Sequence, residues 1–464
     1  MGDLAKIFKA YDIRGVVPDE LDPPTAEAAG AAFARMTGAS AIVTAHDMRE
    51  SSVPLAEAFA RGATSQGADV IEAGLGSTDM LYYASGSLDL PGVMFTASHN
   101  PARYNGLKLC RSGARPVGRD TGLTEIREMI ENGVPAYDGE PGKVSQRDLL
   151  AGYAEHMHSL VDLSGIRPLK VVVDAGNGMG GHTVPAVFEW RPSGGTGEDR
   201  NSSLPIELVP LYFELDGTFP NHEANPIEPE NLRDLQAKVR ETGADIGLAF
   251  DGDADRCFVV DERGEIVSPS AVTALVATRE LAKHPGSSIV HNLITSRAVP
   301  EIVAEHGGKP VRTRVGHSFI KQTMAETGAV FGGEHSAHFY FRDFWFADSG
   351  MLAALHVLAA LGEQDGPLSE LLGEYTRYVA SGEINSEVAD QDAATADVRD
   401  AFAGRPGIAI DELDGLTVSD AAGGWWFNLR PSNTEPLLRL NAEAGDGATV
   451  AAVRDEVLAL VRKK

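Results

Sequence analysis

Cysteine is nearly absent: Cys110 and Cys257 are the only two in 464 residues, far apart and without a CxxC spacing. That excludes a disulfide framework and a cysteine-held zinc site, and predicts a reduced, intracellular protein. Long apolar runs are also missing. The most apolar stretch, Met351 to Leu361, is interrupted by His356 and is too short to cross a bilayer. The opening MGDLAKIFKAYD has no apolar signal-peptide core and no Ser/Thr where a myristoylation site needs one. A cytoplasmic protein without a membrane partner is expected. The sequon Asn201-Ser202-Ser203, with no secretion signal, reads as a chance match. Positive charge is scarce, with 40 Lys+Arg against 67 Asp+Glu and a net charge of −27. No basic run is present to overcome that field, which excludes nucleic acid as a partner. The same charge favours cations, and it requires any anionic substrate to find a local positive pocket inside an acidic envelope.

What is present is globular: 43% hydrophobic and 23% charged residues, with 50 Gly and 25 Pro for tight turns. The length exceeds one hydrophobic core, so three or four domains are expected. Apolar strands ending in turn-prone residues recur at Ala41-Ile42-Val43-Thr44, Lys170 to Asp174 and Ser288 to Asn292. Helical spacing follows, as in Val53 to Gly62 and Ala298 to His306. Alternating strand and helix predicts three related α/β domains with mixed or parallel sheets. The tail differs: strands at Glu383–Val388, Gly415–Val418 and Gly424–Leu429 precede an amphipathic helix over Ala448–Val461, predicting a smaller α+β domain. These shifts place the domains at 1–150, 151–264, 265–370 and 371–464. Pro192 to Pro205 reads as a polar surface loop.

Chemistry concentrates in a few segments. Asp251-Gly252-Asp253-Ala254-Asp255-Arg256 lies between two apolar strands, so three carboxylates at alternate positions of a tight turn can converge on one hard cation. A charged hairpin turn is the competing reading; an EF-hand loop is disfavoured because Arg256 stands where glycine is needed. Thr96-Ala97-Ser98-His99-Asn100-Pro101 follows the strand Gly92–Phe95 and puts a serine where α/β sheets place ligand sites. It is not a GxSxG elbow, and the adjacent His99 is awkwardly placed for a Ser–His relay. Taken alone the loop reads as structural; beside an Asp-rich metal site it becomes a candidate phosphoryl carrier. Phe8 to Gly15 (FKAYDIRG) gathers Lys9, Tyr11 and Arg14, either a solvated surface or a group steadying charge. Gly333 to His338 (GEHSAH) favours a polar cage for sugar hydroxyls over zinc. Arg430 to Pro436 (RPSNTEP) can form a phosphate cradle or an ordinary proline-flanked turn. Gly176 to Gly181 fits G-x-G-x-x-G, but the acidic residue that a dinucleotide site needs is missing, so a tight strand-to-helix turn explains the glycines.

With KAYDIRG, TASHNP, DGDADR, GEHSAH and RPSNTEP appearing in this order from Lys9 to Pro436, the chain resembles the α-D-phosphohexomutase family, most closely its bacterial phosphomannomutase/phosphoglucomutase branch. The resemblance implies four domains around one central cleft, carrying in order the phosphoserine, the metal loop, the sugar-recognition loop and the phosphate clamp. It implies that Ser98 is the phosphorylated serine and that Asp251, Asp253 and Asp255 hold Mg²⁺ together with Ser98. Arg14, His99 and Lys108 would form the proton-transfer group. Tyr11, Arg256, His317, Glu334, Ser336, His338, Arg430, Ser432, Asn433 and Thr434 would bind substrate. The implied reaction interconverts mannose 6-phosphate and mannose 1-phosphate, and glucose phosphates as a second substrate, through a hexose 1,6-bisphosphate. A phosphoglucosamine mutase, a Mg²⁺-dependent sugar phosphatase and a non-catalytic sugar-phosphate binder are the alternatives, and the expected assembly is a monomer or small homo-oligomer. Lys9, Arg14, Lys108, Arg256 and Arg430 would supply the positive pocket that the net charge demands. Three positions depart from the pattern: Ile294 stands where relatives often carry Lys, His335 where Met is common, and the Pro192–Pro205 loop looks like an insertion.

Overall fold

The computed structural model describes residues 3–189, 204–432 and 437–463. They fall into two compact units, Met1–Pro269 with Ser336–Leu371, and Ser270–His335 with Leu372–Lys464.

The first unit contains two mixed sheets. In the first, β1 (Ile13–Val16), β2 (Ala41–His46), β3 (Asp69–Leu75), β4 (Gly92–Phe95), β5 (Tyr104–Arg111) and β7 (Val144–Gln146) run in the order β1-β5-β4-β2-β3-β7, with the short β6 (Arg115–Pro116) on β5. The β4-β2-β3-β7 portion is parallel, while β5 is antiparallel to β4 and to β1. Helices Pro23–Thr37 and Ser52–Ser65 pack on it, and Phe59 sits between Phe33 and Phe95 with ring centroids 6.0 and 5.6 Å apart. In the second sheet, β8 (Leu169–Asp174) lies between β9 (Ile206–Leu211) and β10 (Ile246–Phe250), all parallel; β11 (Cys257–Asp261) and β12 (Ile266–Val267) continue antiparallel. A parallel strand buried on both faces needs an unbroken apolar run, as in Val171-Val172-Val173 and in Ile246–Phe250, where every residue is buried.

After the second unit's first segment, β16 (Phe339–Phe341) and β17 (Ala347–Asp348) form an antiparallel pair and lead into the helix Gly350–Gly362. Apart from His356 the helix is apolar on every side, and all of its residues are buried. The run too short for a membrane is therefore a core helix, capped at its start by the Ser349 hydroxyl, which accepts from Leu352 N at 3.0 Å.

In the second unit β14 (Lys309–Thr313) and β15 (Phe331–Gly333) flank β13 (Ser288–Asn292), all parallel. An antiparallel sheet follows, in the order β18-β23-β22-β21-β20: β18 is Val379–Ala380, β20 Ile408–Asp411, β21 Leu416–Asp420, β22 Trp425–Pro431 and β23 Leu437–Ala444. β19 (Ile384–Glu387) also pairs with β23, and helices Gln391–Ala403 and Gly447–Val461 pack around Phe402 and Phe427. Three α/β layers and a smaller antiparallel α+β tail are the expected fold class. No helix among the described residues is long and apolar enough to cross a membrane. Residues 190–203, and with them the sequon and most of the Pro192–Pro205 loop, lie outside the described part.

Candidate active site

The chain leaves the buried strand β4 at Phe95 and turns at Ser98, whose φ of 49° is left-handed. For a residue with a Cβ that conformation costs roughly 1–2 kcal/mol, so its surroundings must impose it. Ser98 N donates to Thr96 Oγ1 at 2.9 Å, and the Ser98 carbonyl accepts from Arg49 Nη2 at 2.9 Å. The serine oxygen is thereby aimed at the second sheet of the same unit, donating to Asp251 Oδ2 at 2.8 Å. It also lies 3.2 Å from His99 Nδ1. The sequence reading held a relay between adjacent residues to be awkward; the left-handed turn brings the ring within reach. Burial first, then the nearby Arg256 and Arg14, hold the His99 imidazole well below its usual range.

Asp251 to Arg256 joins β10 to β11 across the pair Phe250 and Cys257. The strands on both sides eliminate the EF-hand reading. The plain hairpin-turn reading fails on burial: Asp251, Asp253 and Asp255 are 0%, 0% and 1% exposed. Enclosing three carboxylates costs several kcal/mol per charge unless cations accompany them. Two cations contact them directly. Lys108, on β5, reaches Asp253 Oδ2 and Asp255 Oδ2, both at 2.6 Å, and Arg256 Nε reaches Asp251 Oδ2 at 2.9 Å. Burial pushes Asp251 up to about 7 against the opposing pull of Arg256, while Lys108 and the Thr78 hydroxyl (2.6 Å) outweigh burial at Asp253 and hold it down. The Lys108 ammonium is raised because its two carboxylates outweigh its own burial.

Three buried polar atoms here have no hydrogen-bond partner among the described residues: Asp253 Oδ1, Asp255 Oδ1 and Arg256 Nη2. The ligand oxygens of the three aspartates lie within 4.8 Å of one another, and the unspent oxygens of Asp253 and Asp255 among them suit a hard divalent cation, with an unspent guanidinium donor alongside for an anion. Gly252 permits the approach, since a Cβ there would stand 2.4 Å from the Ser98 carbonyl oxygen. The glycine turn that mimics a dinucleotide motif serves the same loop: Met179 N donates to Gly252 O at 2.9 Å, and Gly178 leaves room for that carbonyl.

Arg14 Nη1 donates to Asn100 Oδ1 at 2.6 Å and its Nη2 pairs with Asp12, so it braces the serine loop from β1; Tyr11 lies in the bend before that strand, and Lys9 is exposed. Ser336 and His338 belong to the first unit. His338 Nδ1 lies 3.0 Å from Ser336 Oγ, and its Nε2 is 3.7 Å from Asp255 Oδ1 and 4.0 Å from Asp348 Oδ2. Arg14, Ser336 and His338 thus belong to the same unit as Ser98, with His338 beside Asp255.

Glu334 and Arg430 belong to the second unit. Glu334 Oε1 accepts from Asn292 Nδ2 at 3.3 Å and Gly316 N at 3.2 Å, while Arg430, 6% exposed, pairs with Glu383 at 3.3 Å. Burial lowers the Arg430 guanidinium and also the neighbouring His335 imidazole. Ser432 follows β22, its N donating to Leu437 O at 2.8 Å, and Ile294 is buried at 6% exposure. His317 opens the helix His317–Thr327; its side chain, together with Asn433 and Thr434, lies outside the described part.

Sequence reasoning missed Arg49, Asp47, Thr78, Asn100 and Asp348. Arg49, Thr78 and Asn100 act through partners remote in sequence or through backbone carbonyls, and Asp47 acts through the neighbouring Arg49. The only local signal is the charged Asp47-Met48-Arg49 after an apolar strand.

Models of the four phosphoglucomutase/phosphomannomutase domains match residues 5–135 (domain I), 151–264 (domain II), 268–378 (domain III) and 383–460 (C-terminal domain). A phosphomannomutase of Salmonella montevideo is 40% identical over 461 residues, covering 98% of each chain. A Xanthomonas campestris protein named for phosphohexose mutases is 43% identical, covering 98% of this chain and 99% of its own. A crystal structure of a phosphoglucomutase/phosphomannomutase family protein from Burkholderia thailandensis superposes with a TM-score of 0.87 at 34% identity, covering 100% of this chain and 98% of that one. With these matches spanning nearly its whole length, the chain belongs to the phosphoglucomutase/phosphomannomutase family.

Proposed function

We propose that this protein is a phosphomannomutase, interconverting mannose 6-phosphate and mannose 1-phosphate through a phosphoryl group carried on Ser98, with glucose phosphates as a second substrate. The observation that carries the reading is the placement of the Ser98 hydroxyl 2.8 Å from Asp251 Oδ2, among buried groups with unspent polar atoms. The names borne by relatives of about 40% identity supply the hexose.

In the forward half-reaction the bond from Ser98 Oγ to phosphorus breaks as a sugar hydroxyl oxygen bonds to the same phosphorus, leaving a hexose 1,6-bisphosphate and a serine hydroxyl. In the second half the other phosphate returns to Ser98 Oγ, and the proton passes back to the sugar oxygen. Asp251, Asp253 and Asp255 would hold Mg²⁺, which when bound offsets charge on the transferring phosphoryl group. Arg256 offers its unspent Nη2 to a phosphoryl oxygen, and Lys108 holds Asp253 and Asp255 in place. His99, Lys108 and Arg14 form the proton-transfer group around the serine. Tyr11, Glu334, Ser336, His338 and His317 serve the sugar, and Arg430 with Ser432, Asn433 and Thr434 the idle phosphate. We place the enzyme in the cytoplasm.

A coupled assay with mannose 1-phosphate, glucose 1-phosphate and glucosamine 1-phosphate, run with Mg²⁺ and a trace of hexose 1,6-bisphosphate, tests the reading. The expected order is mannose, then glucose, well ahead of glucosamine, with no steady release of inorganic phosphate. Ser98→Ala is expected to lose several orders of magnitude in turnover while keeping its fold. Sustained phosphate release would instead mark a sugar phosphatase, and near-normal turnover by Ser98→Ala would remove the phosphoserine.

A further inference from the structure

Arg49 lies past the end of β2, 2% exposed and outside every motif that marks the site. A guanidinium has five N–H donors in a rigid planar fork, and here each has an acceptor. Nε donates to Asp47 Oδ2 at 3.1 Å. Nη1 donates to the Pro101 and Tyr104 carbonyls at 3.0 and 3.1 Å. Nη2 donates to those of Ser98 and Asn100 at 2.9 and 2.7 Å. Four of the five acceptors are thus backbone carbonyls of residues 98–104, the loop that carries Ser98 and the first residue of β5.

Two further contacts lock the fork. The Phe219 ring covers it with its centroid 5.0 Å from Cζ, and the chain before that ring closes on Arg49 so tightly that a Cβ on Gly217 would stand 2.7 Å from Arg49 Cα. Asp47 offsets the buried charge and is itself held by the Ser52 hydroxyl at 2.6 Å. The Ser98 carbonyl that receives Nη2 is also the atom against which Gly252 packs. One carbonyl therefore links the Arg49 fork both to the left-handed turn at Ser98 and to the aspartate loop at Gly252.

We infer that Arg49 is a positioning residue for the phosphoryl-carrying serine: it holds residues 98–104 so that Ser98 Oγ faces Asp251, while its own guanidinium, fully engaged, touches no substrate. The inference rests on the reading of Ser98 as the phosphoryl carrier. A fork is required rather than a charge, because one ammonium with three donors cannot reach four carbonyls spread from Ser98 to Tyr104. Loss of the fork misplaces the nucleophile and leaves sugar and phosphate contacts intact, so kcat falls and KM holds.

The test combines three variants with two readouts. Arg49→Lys keeps the charge and removes the fork; Arg49→Gln removes both. Gly217→Ala leaves Arg49 in the chain but presses on its backbone. Amide hydrogen exchange followed by mass spectrometry reads the loop directly, without reference to catalysis, and steady-state kinetics with mannose 1-phosphate reads its consequence. In all three variants exchange over residues 96–106 is expected to rise by about tenfold or more while the 437–461 segment is unchanged. In both Arg49 variants kcat is expected to fall by about a hundredfold, with KM within about threefold of wild type. Unchanged exchange over 96–106, a loss residing in KM, or full activity in Arg49→Lys would each overturn the inference. If Arg49→Gln does not fold, Arg49→Lys decides it by the same criteria and Gly217→Ala by exchange over 96–106. A wild-type protein without mutase turnover would overturn the functional reading, with the exchange result still deciding whether Arg49 orders the loop.

Discussion

The side chains around Ser98 are held by an imbalance of charge. Two cations contact three fully buried carboxylates, and two carboxylate oxygens are left over. Lys108→Ala would strip Asp253 and Asp255 of their direct cation partner. Breaking a buried pair in this way costs roughly 3 kcal/mol. Because the same two carboxylates present their other oxygens to a divalent ion, the loss is expected to be largest in metal-free protein and to shrink when Mg²⁺ is added, read as the urea midpoint with and without the ion. Equal destabilisation under both conditions would show that the aspartates do not take up the cation. The contiguous part of this arrangement was legible in the sequence, since three aspartates in a turn between apolar strands and a serine at a strand's end are local patterns. Their pairing was not, because the bond from Ser98 to Asp251 spans 153 positions and depends on how two sheets meet. Arg49 was less legible still: its partners are carbonyls, which no residue type advertises.

Among the elements, one buried carboxylate ties three helices of the first unit. Asp79, in the first turn of the helix Thr78–Leu88, accepts from the Tyr153 hydroxyl of the helix Leu150–Leu160 at 2.8 Å, from Ser349 at the cap of Gly350–Gly362 at 2.6 Å, and from Ser77. Burial raises its pKa from 3.8 to about 6, and the three hydroxyl donors only partly oppose the rise. The folded state therefore holds this proton more tightly than the unfolded chain. The stabilisation is complete below about pH 3.8 and is lost as pH rises through about 6, a change of roughly two units or about 3 kcal/mol. Asp79→Asn removes the titration, so its stability relative to wild type is expected to improve between pH 4 and pH 7.5, measured by urea unfolding of both proteins. A difference that stays constant across that range would sink the assignment. The strands were readable as apolar runs, and β13 occupies the Ser288–Asn292 stretch picked out by composition. The role of Gly350–Gly362 was not, because a helix buried on all sides carries no amphipathic period to show which neighbours it meets.

For the molecule as a whole, the net charge of −27 is echoed around Ser98, where the cations Arg14, Arg49, Arg256 and Lys108 are all paired with carboxylates, Asp12, Asp47, Asp251 and the pair Asp253 and Asp255. The positive focus that an anionic substrate needs inside an acidic surface would come from a divalent cation on the aspartates together with the unspent Arg256 donor. The fold class and family were legible because five short motifs in fixed order run nearly the length of the chain, and the same order underlies the four matched domains. What the motifs do not carry is the framework that aims them, which is distributed over carbonyls, glycines and hydroxyls.

The central claim is that Ser98 carries the phosphoryl group between two sugar oxygens, and a label chase tests it most directly. Protein incubated with Mg²⁺ and hexose 1,6-bisphosphate bearing labelled phosphate is digested and mapped before and after a chase with unlabelled mannose 6-phosphate. The account predicts label on the peptide containing Ser98, its transfer to sugar during the chase, and no label in Ser98→Ala. Label on another residue, or label on Ser98 that the sugar cannot remove, would contradict it.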